Sequence, residues 1–243
     1  MACLLLASPA LSRAAPEEIQ VYLDDLTALG RFGLDVHNNY VFSGSSMPAY
    51  EGAQPPAHVY RLTPEFYYGL SETTELGLYV LSTMPAQEDP HFDGAKLRFK
   101  FIAPHDTDNG SFWGANVELG DTSRRVSEGP WNAELKGIYG YRSGRWLLAV
   151  NPNLDRRIGS QPWTLEVDFK AAYSVSPRLQ IGLESYNELG PLSDLGHLGQ
   201  QSQTLYAVVD TELGGFDLNL GLGRGLTDAS DRWIVKLILG HHF

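Results

Sequence analysis

Apolar residues return at every second position in one short run after another along this chain, and a period of two belongs to strands rather than helices. Phe32, Leu34 and Val36 alternate with Gly33, Asp35 and His37. Leu97, Phe99 and Phe101 alternate with Lys96, Arg98 and Lys100, and Val167, Phe169 and Ala171 with Glu166, Asp168 and Lys170. Trp233, Val235, Leu237, Leu239, His241 and Phe243 share one face of the closing run. About twelve such segments can be marked, most near the 9–11 residues of a tilted membrane strand, with the run Leu76, Leu78, Val80 shorter. No segment carries a convincing 3.6-residue period, and residues 17–28 read equally as a short helix or an inner strand.

Connections alternate in length. Short turns are expected at 71–73, 142–144, 174–177 and 214–215, with a longer one at 106–110. Between them come polar loops at 43–58, 82–94, 120–130, 155–162, 190–202 and 224–231. A meander with an even number of strands produces this rhythm when its two rims face different compartments. Periodicity alone leaves two folds open. A soluble β-sandwich turns its apolar face inward, whereas a membrane barrel turns the same face into lipid. Mean hydropathy is -0.21, and no apolar run approaches the ~20 residues of a spanning helix. Any spanning must therefore be done by strands.

Aromatic placement favours the barrel. Tyr139, Tyr141, Trp146, Tyr173 and Phe243 fall near the short-turn rim, and Trp163 and Trp233 near the long-loop rim. Two such belts are where amphipathic rings settle at membrane interfaces. Closing twelve strands on themselves also leaves no unpaired edge in lipid. The expected fold is all-β, an antiparallel up-and-down transmembrane β-barrel of about twelve strands.

Composition narrows the partners. With 18 Lys+Arg against 29 Asp+Glu the net charge is -11, and no basic stripe offers itself to a phosphate backbone, so nucleic acid is not an expected partner. The single cysteine, Cys3, lies in an apolar stretch from Cys3 to Leu11 that reads as a secretion leader. Ser12-Arg13-Ala14 offers small residues for cleavage after Ala14, although no Lys or Arg precedes the apolar stretch, as if the true start lay upstream. The division expected is a leader over 1–14, a periplasmic segment over 15–30 and a barrel over 31–243. Without Cys3 the remaining chain has no thiol for disulfides or thiolate metal sites.

Three stretches, EEIQVYLDDLTALGRFGLDVH (17–37), RLTPEFYYGLSETTELGLYV (61–80) and FDLNLGLGRGLTDASDRWIVKLIL (216–239), resemble a proteobacterial family of small transporter-like barrels labelled for the meta-pathway of phenol degradation. The last strand with its terminal Phe243 likewise resembles the closing strand of Gram-negative outer-membrane barrels. The resemblance implies an outer-membrane location, surrounding outer-membrane lipid and lipopolysaccharide, and recognition of Phe243 by the barrel-assembly machinery. It also implies passage of a small solute, with an aromatic or other hydrophobic compound as the substrate class. No catalytic residue and no cofactor is carried over from it.

Candidate site residues are charges on the inner face. Lys96, Arg98 and Lys100 place three cations on the fourth strand, and Asp210, Glu212 and Asp217 place three anions on the tenth and eleventh. Strand ten lies opposite strand four in a ring of twelve, so the two triplets would set a transverse field across a passage. The alternative is that these charges neutralise one another inside a barrel filled by side chains, a structural protein with a blocked lumen. A third reading is a lipid-modifying enzyme. Barrel hydrolases of that compartment carry a His and a Ser two residues apart on one strand, and no His-x-Ser occurs here. Asp155 and Glu166 could make a carboxylate pair across a loop, without the geometry that acid–base work needs. No metal site is expected, because the only closely spaced histidines, His241 and His242, point to opposite faces of a strand. Arg124 and Arg125 occupy a long loop where guanidinium forks suit lipopolysaccharide phosphates.

Overall fold

The computed structural model describes residues 18–86, 88–159 and 162–243; the expected leader over 1–14 lies outside them. Twelve strands follow one another: β1 (Phe32–Ser43), β2 (Val59–Gly69), β3 (Thr74–Pro85), β4 (His91–Ile102), β5 (Gly110–Thr122), β6 (Trp131–Ser143), β7 (Trp146–Arg157), β8 (Thr164–Ser176), β9 (Leu179–Pro191), β10 (Ser202–Leu213), β11 (Phe216–Gly225) and β12 (Trp233–His242). Each pairs antiparallel with its neighbours in sequence, and β12 pairs back onto β1 to close the ring. No helix occurs among the described residues.

The direction of the side chains separates the barrel from the sandwich. Leu97 and Phe169 are 55% and 48% exposed, while Lys236 and Arg61 are 0% and 1% exposed. Apolar residues face out and charged ones face in, the reverse of a soluble core. A belt of half-exposed leucine, valine and phenylalanine around the whole ring is far larger than the apolar patches that soluble monomers display, and lipid is the medium that accepts it.

Turns follow from local chemistry. Gly214 and Gly215, with φ of 63° and 84°, form the two-residue link between β10 and β11. Positive φ at both positions matches the right-handed twist of the flanking strands, and only glycine reaches it without strain. The other rim carries longer connections, from five residues after β3 to fifteen after β1. The third strand is not short: it runs to Pro85. Its outward positions beyond Val80 include a serine, Ser82, whose hydroxyl donates to the Leu62 carbonyl at 2.6 Å, so a polar residue there costs little and hides the strand from a hydropathy pattern.

The stretch expected as a periplasmic segment enters the barrel. From the short-turn rim, where Leu29 bridges Gly69 in parallel and Gly30 donates to the Gly69 carbonyl at 2.9 Å, residues 18–28 run as extended chain inside the ring. Val21 and Tyr22 pack with Ile102, Phe112, Ile138 and Leu147 in a buried cluster. Those four strand residues face the lumen, where the alternation elsewhere places polar groups. Their apolar character makes a seat for the inner segment on β4 to β7.

Candidate functional site: the partitioned lumen

Tyr22 sits at the middle of the inner segment, fully buried. Its backbone is read by a single side chain: Asn151 accepts from the Tyr22 N–H at 2.6 Å and donates to the Tyr22 carbonyl at 3.1 Å. That pairing imitates a strand ladder and satisfies backbone groups that would otherwise be orphaned in the lumen. The phenol bonds Tyr79 and Glu18. Around the ring stand Lys136, Arg98 and Lys100, at 4.5, 5.4 and 5.4 Å from its centroid, close enough for cation–π attraction. Nearer the rim, Thr27 N–H donates to Glu75 at 2.7 Å. Asp24 accepts from Arg142 and faces His105 at 2.8 Å.

Charged networks line the wall opposite this seat. Glu184 on β9 holds two ammonium groups, Lys236 and, at 3.0 Å, Lys170. Lys170 also reaches Asp210 at 2.9 Å, and Lys236 donates to the Ile19 carbonyl at 2.9 Å, tying β12 to the inner segment. On the β2–β4 side, Arg98 bridges Glu65 at 2.6 Å and Glu75 at 2.5 Å.

Among the described residues, two cavities flank the inner segment. One, of about 420 Å³, opens at the long-loop rim and is lined by Arg61, Lys96, Glu134, Asp168 and Tyr206 among others. The second, of about 460 Å³, opens at the short-turn rim and is lined by Asp35, Arg98, Glu184, Asp210 and Lys236 among others. Gln20 of the inner segment lines both, and its Oε1 is buried without a hydrogen-bond partner. The lumen is thus partitioned at Gln20, beside the Lys170–Glu184–Lys236 network.

The six charges singled out from sequence are distributed over this arrangement. Arg98 shares the short-turn cavity with Asp210, Glu212 and Asp217. Lys96 lines the other cavity. Lys100 turns to the inner segment, donating to the Asp25 carbonyl at 2.7 Å. Glu212 and Asp217 are cross-strand neighbours at the exposed rim. The inner segment, a body that spacing along the strands could not reveal, takes up Lys100 but leaves Arg98 in one cavity with the three anions. Of the aromatics, Tyr139, Tyr141, Trp146, Trp233 and Phe243 are exposed on the outer face. Tyr173 stacks edge-on against Trp146 at 5.0 Å, and Arg156 lies over Trp163 at 5.7 Å. In the loop after β5, Arg124 is exposed, while Arg125 is engaged by Gln54 and, at 3.2 Å, by Glu88.

Sequence reading missed Tyr22, Asn151 and Gln20. A signal existed, since Ile19, Val21 and Leu23 alternate with Gln20, Tyr22 and Asp24 as in a strand, but no thirteenth place exists in an even ring. It also missed that Asp35, His37 and Glu65 bring ligand-type atoms within 4.8 Å of one another. The Arg98 guanidinium already supplies countercharge to Glu65 there.

No protein-family model matches the chain, and no curated protein does. Solved structures do. The COG4313 outer membrane channel from Pseudomonas putida F1 superposes with a TM-score of 0.64 at 14% identity, over 93% of this chain and 100% of that one. A KdgM porin superposes with a TM-score of 0.61 at 8% identity, over 87% of this chain and 99% of that one. The chain has the fold of these outer-membrane barrels.

Proposed function

We propose that this barrel resides in the outer membrane of a Gram-negative bacterium and passes a small solute between its two rims, along the wall formed by β8 to β12. The observation that carries this reading is the approach of two cavities, one from each rim, that share Gln20 of the inner segment in their linings. Rotation of that side chain with a small shift of the inner segment would join the two, and side chains and chain segments make motions of that size on sub-millisecond timescales. The neighbours described as a channel and a porin support the same reading. The short-turn rim, where the inner segment enters, is the periplasmic one in this proposal, as in other barrels with short turns on that side. The resemblance to the phenol-pathway family supports an aromatic cargo, whereas the charged walls favour a polar one.

Purified protein in planar bilayers should show discrete small conductance steps, and Gln20→Gly should enlarge them. A second reading, a barrel blocked for good, draws on the apolar seat that fixes Val21 and Tyr22. It requires a silent wild type and silent Gln20→Gly, with conduction appearing only when residues 18–28 are removed.

A further inference from the structure

The long-loop cavity carries an unbalanced charge. Among the described residues, seven carboxylate side chains line it against three cationic ones. The acids are concentrated on β6 to β9, and the register sets them directly against one another: Glu134 opposite Asp155, and Glu166 opposite Glu188. Like charges at directly opposed positions destabilise a sheet. Lys136, at 2.9 Å from Glu134, and Lys96, which lines the same cavity, offset part of this.

A second observation points to a ligand. Asp168 and Asn153 line the same cavity and are each 2% exposed. Asn153 Nδ2 donates to Asp168 Oδ2 at 2.7 Å, and Asp168 also meets the Glu166 carboxyl, which leaves Asp168 Oδ1 and Asn153 Oδ1 without a nitrogen donor. Two buried acceptors without a donor are costly, and a donor-bearing cation would satisfy both. The size of the cavity, about 420 Å³, falls in the range of small-molecule sites. It is far larger than the cage that carboxylates close around a bare divalent ion at 2.0–2.6 Å. Tyr206, Tyr186 and Ile234 add an apolar flank suited to a hydrocarbon stem.

We propose that the long-loop cavity binds a small organic cation carrying a primary ammonium or guanidinium group on an alkyl stem, its N–H groups directed at Asp168, Asn153 and Glu166. The binding does not depend on conduction; that the bound cation is cargo rests on the channel reading above.

The test is calorimetric titration of the full-length barrel in detergent with 1,4-diaminobutane, with 1,4-butanediol as its uncharged match and with magnesium chloride. Saturable one-site binding is expected for the diamine and none for the diol at equal concentration. Asp168→Asn and Glu166→Gln, both isosteric, should each weaken it about tenfold or more, whereas Glu212→Gln at the opposite rim should leave it unchanged. Heat-modifiable gel migration reports whether each variant is folded, and the wild-type titrations decide even if one variant is not. The proposal is overturned if the diamine binds no better than the diol, if both folded variants bind like wild type, or if magnesium binds more tightly and displaces the diamine. A barrel that binds but does not conduct sinks the channel reading alone; one that conducts but does not bind sinks this inference alone.

Discussion

Glu184 joins two ammonium groups inside the lumen. It is 1% exposed and serves Lys170 and Lys236, the latter fully inaccessible. Replacing it by Gln takes the carboxylate from Lys236, which keeps the Ile19 carbonyl, the Tyr186 hydroxyl and the faces of Tyr186 and Tyr206. An orphaned buried charge of this kind costs on the order of 3 kcal/mol. Urea unfolding of the refolded protein should register that loss for Glu184→Gln, and adding Lys236→Met should recover most of it; a single variant within about 0.5 kcal/mol of wild type would refute the role. His105 offers a pH test. The Ala103 carbonyl at 2.8 Å, and after it the Asp24 carboxylate, hold its imidazole above the ordinary value. A folded-state pKa above the unfolded one near 6.5 gives stabilisation that is complete below that pH and fades as pH rises through the folded value. Protection factors of the amides in residues 18–28, which take out the base catalysis of intrinsic exchange, should therefore be higher at pH 5.5 than at pH 8.5, and His105→Gln should flatten the difference.

Among the elements, the inner segment is the one that, in the proposed channel, stands between the two rims. It is held by side chains of several strands: Asn151, Tyr79, Glu75, Lys100 and Lys236. Tyr22→Ala removes the phenol that bonds Tyr79 and the ring that Lys136 approaches, so the tail should become accessible to protease and single-channel current should grow noisier and larger. An unchanged trace and an intact tail would show that the apolar seat suffices without Tyr22. The twelve strands themselves were legible because lipid and lumen impose opposite demands on alternate residues, and runs such as Lys96 to Phe101 state both at once. The inner segment was not, because Ile19 to Asp24 obeys the same period without a ladder partner. Its seat was equally hidden: Ile102, Phe112, Ile138 and Leu147 occupy lumen positions but are apolar, so from sequence they read as breaks in the pattern rather than as a docking surface. The partners of the candidate charges were not legible either, since Arg98 meets Glu65 and Glu75 through register between strands.

For the molecule as a whole, charge and shape act together. The net charge is -11, and most of the charged groups that line the long-loop cavity are carboxylates. Low-dielectric walls focus such a field and enrich counter-ions at the entrance. Reversal potentials across a potassium chloride gradient should accordingly have the sign of potassium preference, and Glu166→Gln with Asp168→Asn should move them toward zero; chloride preference would contradict the geometry. The outer face follows a looser rule. A surface whose only task is to dissolve in oil is indifferent to which greasy residue it carries, and leucine, valine and phenylalanine exchange there at small cost. Two chains can then keep one ring of strands while nearly all their letters drift apart, so an outline shared to a TM-score of 0.64 at 14% identity is the ordinary outcome of living in a solvent that does not read side chains.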